Sequence, residues 1–262
     1  LYSGILEFNS TISHQAGTGI ILSLNTQSAP LDQLEVRQAV LKAIDPWEYV
    51  DVIWEDQGDS GLGLPVQDNG WYLRDQDLRG DYFANPSEAR KLLSSTGALL
   101  PMEVELAVAD FGSIYQQLAL RVADDLRDVG FEPIIRPLNP SHYMEILVEQ
   151  ENNFQITLGV LPPTTSANRF LTSLLHSEGP GNLAQHQDTT LNALIEQQAA
   201  ELDPKLRKDL LSEIQRHVLD QAYMFSPVIG SSRWVFSWKV QNFHPNTGLS
   251  EYNYWSRVWL EQ

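Results

Sequence analysis

Histidines and carboxylates are the side chains from which this sequence could most readily build a catalytic or metal centre. Its six histidines stand at 14, 142, 176, 186, 217 and 244 and include no His-x-x-x-His pair of the kind that holds a metal from one helix face. His176 and His186 flank the turn segment SEGPGN and could frame a weak metal site, whereas His217 sits in a polar helix and reads as a surface histidine. The adjacent acids Asp124 and Asp125 point in different directions from a helix and read as a solvated face. There is no cysteine, hence no thiol nucleophile, disulfide or thiolate ligand. No Gly-x-Ser-x-Gly elbow occurs, and no lysine follows a serine by three residues. The glycines of GDSGLGLP follow a helix and lack both the phosphate-loop lysine and the dinucleotide spacing. With no nucleophile beside a base and no acid beside a base, the sequence predicts no catalytic residue, no resident metal and no cofactor.

The other side chains with chemistry to offer are aromatic. Trp234, Phe236, Trp238, Phe243, Tyr252, Tyr254, Trp255 and Trp259 place eight of the 25 aromatic residues after residue 233. They read either as a stacking surface for sugars or peptides, or as a strand whose rings pack on the body of the protein or on a partner. The period-two spacing and the scarcity of charge favour packing.

These residues must be positioned by an alternation of strands and helices. TGIILSLNT (18–26) is a β-branched run bounded by turn residues, hence a strand. Two helices follow without a linker, over 33–44 and 46–56. In the first, Asp32 and Glu35 have the spacing of a capping box with Leu31 and Val36 as its hydrophobic staple; in the second, Asp45, Pro46 and Glu48 repeat the signal. GDSGLGLPVQDNG (58–70) is loop. In NPSEARKLLSSTG, Asn85 caps, Pro86 opens and Gly97 stops another helix. MEVELAV (102–108) puts Met102, Val104, Leu106 and Val108 on one face of a strand; a helix with Ile114, Leu118, Val122, Leu126 and Val129 at helical period runs to Gly130, and FEPIIRPL (131–138) is the next strand. Strand, helix and strand joined by short links form a right-handed βαβ unit. A helix over 141–149 and the strand FQITLGV continue the alternation. Two amphipathic helices follow, with stripes Leu191, Leu194, Ile195, Ala199, Leu202 and Leu206, Leu210, Ile214, Val218; from Ser226 the pattern returns to strand. This order predicts one α/β domain.

Composition bounds what that domain binds. Hydrophobic residues make up 42% of the 262, enough for a sizeable core. The 17 basic against 34 acidic residues give a net charge of −17, which repels phosphate backbones and argues against nucleic acid as a partner. No apolar run approaches the ~18 residues that a membrane span needs. The opening LYSGILEFNS has neither Met nor a basic leader, so the chain is expected to be a piece of something longer.

LSLNTQSAPLDQLEVRQAVLKAIDPWEYVD resembles the segment with which family 5 extracellular solute-binding proteins, the binding subunits of peptide, nickel and oligosaccharide ABC importers, enter their second lobe. Asn25, Thr26, Pro30, Leu31, Asp32, Val36, Arg37, Gln38, Ala39, Ala43, Ile44 and Asp45 carry the likeness. NPSEARKLLSSTG, the βαβ unit over 102–138, NRFLTSLL and residues 194–228 continue it in order.

The resemblance implies a periplasmic-binding-protein-like lobe of type II, with a mixed, mostly parallel sheet flanked by helices. It implies that residues 1–262 form the second lobe of a two-lobe protein, with 1–25 and 228–262 crossing the hinge or returning to the first. It also implies a small-molecule or oligopeptide ligand, an ABC permease and the N-terminal lobe as partners, and an extracytoplasmic address in the periplasm or at the cell surface. A metabolite-sensing domain behind the DNA-binding head of a cytoplasmic regulator is the alternative. The expected cleft wall consists of the 160–168 loop with Leu161, Thr164 and Asn168, together with Tyr143, Ser231 and Arg233. Pro162 or Pro163 stands where peptide binders of this family carry an acid for the peptide's amino group, and SHYMEILVEQ lacks the arginines that hold a peptide carboxylate.

Overall fold

The computed structural model describes residues 8–54, 59–61, 71, 73, 78–149, 153–161, 166–243 and 255–261. A long strand β1 (Phe8–Leu24) leads into α1 (Leu34–Ala43) and α2 (Pro46–Trp54), then the short β2 (Asp59–Gly61). Next come α3 (Pro86–Ser95), β3 (Met102–Ala109), α4 (Ser113–Val129), β4 (Phe131–Leu138), α5 (Pro140–Glu149) and β5 (Ile156–Val160). After α6 (Ala167–Phe170) and a π-turn at Leu171–Leu175 the chain forms α7 (Thr189–Ala200), α8 (Pro204–Asp220) and the long β6 (Met224–Ser237); β7 (Val240–Gln241) pairs with β8 (Trp259–Leu260).

The main sheet runs β2-β6-β1-β5-β3-β4. Helices α1 to α4 bury their apolar faces against Ile20, Leu22 and Leu24 of β1 and Val104, Leu106 and Val108 of β3. Helices α5 to α8 pack on the other face, where Ile21, Ala107 and Ala109 point. Successive residues of a strand face opposite ways, so the second half of β3 is buried on both sides and not half-buried as its alternation suggests.

The sheet is mixed and helix-flanked, as the fold class requires, but its parallel part is smaller than expected. β3 pairs parallel with β4 and with β5, whereas β5–β1, β1–β6 and β6–β2 are antiparallel. The reason is topological: β6 returns from the far end of the chain and lies beside β1, not in the βαβ series. Residues 59–61, for which the sequence predicts loop, form the edge strand β2. The opposite edge, β4, carries Pro133 and Pro137, which cannot donate to a further strand and so blunt it.

Asn85 accepts the Glu88 N–H and Asp45 accepts the Glu48 N–H, both at 3.3 Å, while α4 ends on Gly130 at φ +114°. The Asp45 box closes differently, however: its own N–H goes to Asp125 Oδ2 at 3.2 Å, and Glu48 faces Arg121. Asp32 does not cap α1; Gln33 holds that position with no side-chain bond. Instead Arg37 reaches back, Nη1 donating to the Leu31 carbonyl at 2.7 Å, and Nε donates to the Gln221 carbonyl at 3.1 Å. Beside it Gln38 Nε2 donates to the Asp220 carbonyl at 2.8 Å. The Arg-Gln pair thus ties α1 to the end of α8.

Two stripes shift. α7 ends at Ala200, leaving Leu202 93% exposed, and Gln198 takes the inward place of Ala199. In α8 the buried set is Leu211, Ile214, Gln215, Val218 and Leu219, and Leu206 lies exposed. Of the aromatic tail, Trp234, Phe236 and Trp255 gather around the buried Phe243 with centroids 4.9–5.6 Å away, while Trp238 and Trp259 are exposed; Tyr252 and Tyr254 lie outside the described residues.

Candidate functional site

The register sets the carboxyl ends of the parallel strands side by side. Ala109 of β3 pairs with Leu138 of β4, and Val108 pairs with Leu158 of β5. The segments 110–112, 139 and 161 onward therefore leave the sheet at one end, where open α/β sheets present ligand sites. At the same end Leu161 N–H donates to the Gly19 carbonyl at 2.8 Å, and Gly19 faces Ile229 across the next pairing. Beyond that level β1 and β6 continue as a two-stranded ribbon, from His14 opposite Ser231 to Phe8 opposite Ser237.

Under these loops lies Tyr143 of α5. Its ring is fully buried, and its hydroxyl donates to the Val160 carbonyl at 3.1 Å. The ring fits because position 159 is glycine: a Cβ there would stand 2.2 Å from Tyr143 Cζ. Burial pushes the phenol far above its ordinary range, so it stays a neutral donor.

Phe111 stands above Tyr143 at the end of β3 and is 40% exposed. Its ring meets Tyr143 edge-on (6.0 Å, 86°) and Tyr115 at a tilt (5.6 Å, 50°). The backbone turns sharply to place it: Phe111 N–H bonds the Ala109 carbonyl at 3.0 Å, and Gly112 sits at φ +120°. Gln116 Nε2 donates to Asp110 Oδ1 at 3.1 Å and steadies the neighbouring acid.

The residues expected to form the wall are distributed as follows. Tyr143 and Leu161 are brought together but are buried and do not face solvent. Asn168 turns its side chain toward α7, where Oδ1 accepts from Gln198 Nε2 at 2.8 Å; Arg207 in turn donates to Gln198 Oε1. Ser231 and Arg233 occupy the β6 ribbon opposite His14 and Ile12. Thr164 lies outside the described residues. Phe111 was missed. The available signal was a large apolar residue beside glycine just past an apolar strand, a place where polar turn residues are usual.

The histidines are placed otherwise than their spacing suggested. His186 is buried; its Nε2 donates to the Leu175 carbonyl at 2.9 Å and its Nδ1 accepts the Asp188 N–H at 3.3 Å, which engages both nitrogens and removes it as a metal ligand. His217 is no surface residue either: its Nε2 lies 2.6 Å from Asp188 Oδ2, which also accepts from Tyr223 Oη at 3.0 Å. The Tyr223 ring stacks on His186 (4.4 Å, 14°), and the Arg37 guanidinium lies 5.9 Å from its centroid. Asp125 likewise leaves the solvated face: Tyr49 Oη donates to its Oδ2, and burial raises its carboxyl above the usual range.

Residues 6–182 match the family described as bacterial extracellular solute-binding proteins, family 5 middle. The chain belongs to this family. Family 5 is one of solute-binding proteins, not enzymes, and the fold agrees. DppA of Helicobacter pylori, a periplasmic binding protein solved with the peptide STSA, superposes with a TM-score of 0.81 at 19% identity over 99% of this chain and 50% of its own. NikA of Staphylococcus aureus, solved with Ni(L-His)2, gives 0.79 at 16% over 98% and 54%. In sequence, a probable di/tripeptide-binding protein 5 of Pseudomonas aeruginosa is 27% identical over 208 residues. That alignment covers 77% of this family 5 chain and 38% of the relative, so the matched part is well under half the length of that protein. Among the described residues of this family 5 chain, no helix is long and apolar enough to cross a membrane.

Proposed function

We propose that this chain supplies one wall of a two-lobe binding protein that captures a small solute or short peptide outside the cytoplasm, in the periplasm or at the cell surface, and delivers it to an ABC permease. The observation that carries this reading is the convergence of three parallel-strand carboxyl ends with the β1–β6 ribbon, which runs past the same end of the sheet. A ribbon of two strands that outruns its sheet is suited to lead into a second body and to bend as a hinge. Of the segments 1–25 and 228–262 expected to cross the hinge or return to the first lobe, the ribbon is accordingly assigned to the hinge, while Ile20–Leu24 and Val228 belong to the sheet core of the second lobe.

The wall consists of residues 110–112, the loop from Leu161 to Asn168 and the ribbon around Ser231 and Arg233, with Tyr143 beneath. Di- and tripeptides are the first ligands to test, because the Pseudomonas relative is a probable di/tripeptide-binding protein; that likeness also favours an importer subunit over a regulator. Isothermal titration of the full-length protein with tripeptides and with nickel–histidine tests the proposal. Saturable binding of one class that is lost when residues 110–112 are replaced by a flexible linker supports it. Absence of binding to every member of both classes overturns the proposed ligand range.

A further inference from the structure

Resting on the reading that the carboxyl end of β3–β5 is the ligand wall, we infer that Phe111 is a stacking platform that selects ligands carrying an aromatic ring. An apolar ring is favoured in contact with other apolar surface and disfavoured in water, yet this ring is held partly exposed beyond the sheet. It is also held rigidly. Tyr143 supports one side and is itself locked by its hydroxyl bond to Val160 and by the space at Gly159. Tyr115, in the first turn of α4, supports a second side. Gly112, at φ +120°, takes a conformation that other residues rarely adopt, and so turns the chain away from the ring.

Three consequences follow from that geometry. A preformed, buttressed ring loses little entropy when a ligand covers it. Its free surface pairs best with another π-system, offset or edge-on, because both carry a negative face and a positive edge. And Phe111 rests on Tyr143, whose hydroxyl bonds the Val160 carbonyl just before Leu161, so a ring seated on Phe111 lies near the start of the proposed 161–168 wall.

The test uses the full-length protein with the tripeptides Ala-Phe-Ala and Ala-Ala-Ala as probes in titration calorimetry. Phe111→Leu retains an apolar side chain against Tyr143 and Tyr115 but removes the π face; Phe111→Trp keeps and enlarges it. Wild type is expected to bind Ala-Phe-Ala more tightly than Ala-Ala-Ala. Phe111→Leu should weaken Ala-Phe-Ala by about three- to tenfold, the range of an aromatic pair, and Ala-Ala-Ala by a smaller factor, so that the preference between the two narrows, with Phe111→Trp restoring the preference. An equal effect of Phe111→Leu on both peptides, or none on either, overturns the platform while leaving peptide binding standing. If wild type binds neither peptide, the peptide reading fails, and the platform is judged by saturation-transfer NMR with millimolar indole. Transfer present in wild type and lost in Phe111→Leu supports it; transfer absent, or the same in both, overturns it. Circular dichroism of each variant establishes that the loss is local.

Discussion

His217 Nε2 on α8 lies 2.6 Å from Asp188 Oδ2, the carboxylate whose other oxygen caps α7. One side chain therefore closes the first turn of one helix and holds the next helix against it. The same carboxylate takes the Tyr223 hydroxyl at the entry of β6, so the carboxy-terminal elements meet at a single acceptor. A carboxylate can only accept when ionised, so the proton of His217 resides on Nε2.

Asp188→Ala removes the acceptor for four donors: the Thr190 and Leu191 N–H groups, His217 and Tyr223. Loss of the cap costs about 1 kcal/mol and the stranded donors about 1–3 kcal/mol more. Asp188→Asn retains the cap and should recover roughly half. Urea unfolding measures both; a loss below about 0.5 kcal/mol for the alanine variant would show that the network carries no stability.

Acid should weaken the fold in two steps. Burial, opposed by the Leu175 bond, lowers the His186 pKa below its usual value; protonation would also place a proton on Nδ1, directly against the Asp188 N–H. The unfolded chain then binds more protons than the folded one, so stability falls as pH drops from about 6.5 toward the lowered folded value. Asp188 adds the second step. Burial raises its pKa, but hydrogen bonds from His217, the Leu191 N–H and Tyr223 outweigh it and hold the carboxyl low. Its contribution is present above about pH 4 and disappears as pH falls through the folded value. His186→Phe, which keeps a ring against Tyr223, should flatten the first step and spare the second when urea midpoints are followed from pH 7.5 to 3. An unchanged slope between pH 6.5 and 5 in that variant would assign the first step to other groups.

Gly159→Ala is expected to be costly out of proportion to one methyl group. The new Cβ would stand 2.2 Å from Tyr143 Cζ and 2.5 Å from its hydroxyl, inside a fully buried ring. Overpacking of this kind costs about 1–3 kcal/mol. Adding Tyr143→Leu should recover part of it, which a double-mutant cycle by thermal unfolding detects as non-additivity. Simple additivity of the two changes would mean that the ring does not occupy this space.

Arg37→Lys preserves charge and should still destabilise. The guanidinium donates from two nitrogens to the carbonyls of Leu31, Asp32 and Gln221, in an environment whose burial lowers its pKa. An ammonium cannot reproduce that fork, and an unmet buried carbonyl costs about 1–3 kcal/mol. Chemical denaturation at pH 7 checks this; stability equal to wild type would reduce Arg37 to a charge requirement.

Much of the fold was legible because it is local. The caps at Asn85 and Asp45 act over three residues, and Gly130 ends α4 by its own backbone freedom. The βαβ unit over 102–138 follows from periodicity and short links, and pairs in register along all of β4. The candidate site was legible only in part. The structure brings Leu161 and Tyr143 together, but in the interior, because burial depends on what covers a residue and not on its own type.

What the sequence determined by itself was the α/β class and those element ends that carry their own signals, such as the caps at Asn85 and Asp45 and the stop at Gly130: properties set by neighbours within a turn or two of chain. What only the tertiary structure decided were pairings across long separations. Asp125 became half-buried because Tyr49, 76 residues away, meets it; His217 left the surface because Asp188, 29 residues away, accepts its hydrogen bond; β1 acquired an antiparallel neighbour because β6 returns beside it from the far end of the chain. Phe111 became an exposed ring because Tyr143 and Tyr115 hold it there. Local hydrogen bonds and periodicity are encoded within a few residues, but which distant groups share a wall depends on how the layers close, and that is a property of the whole chain.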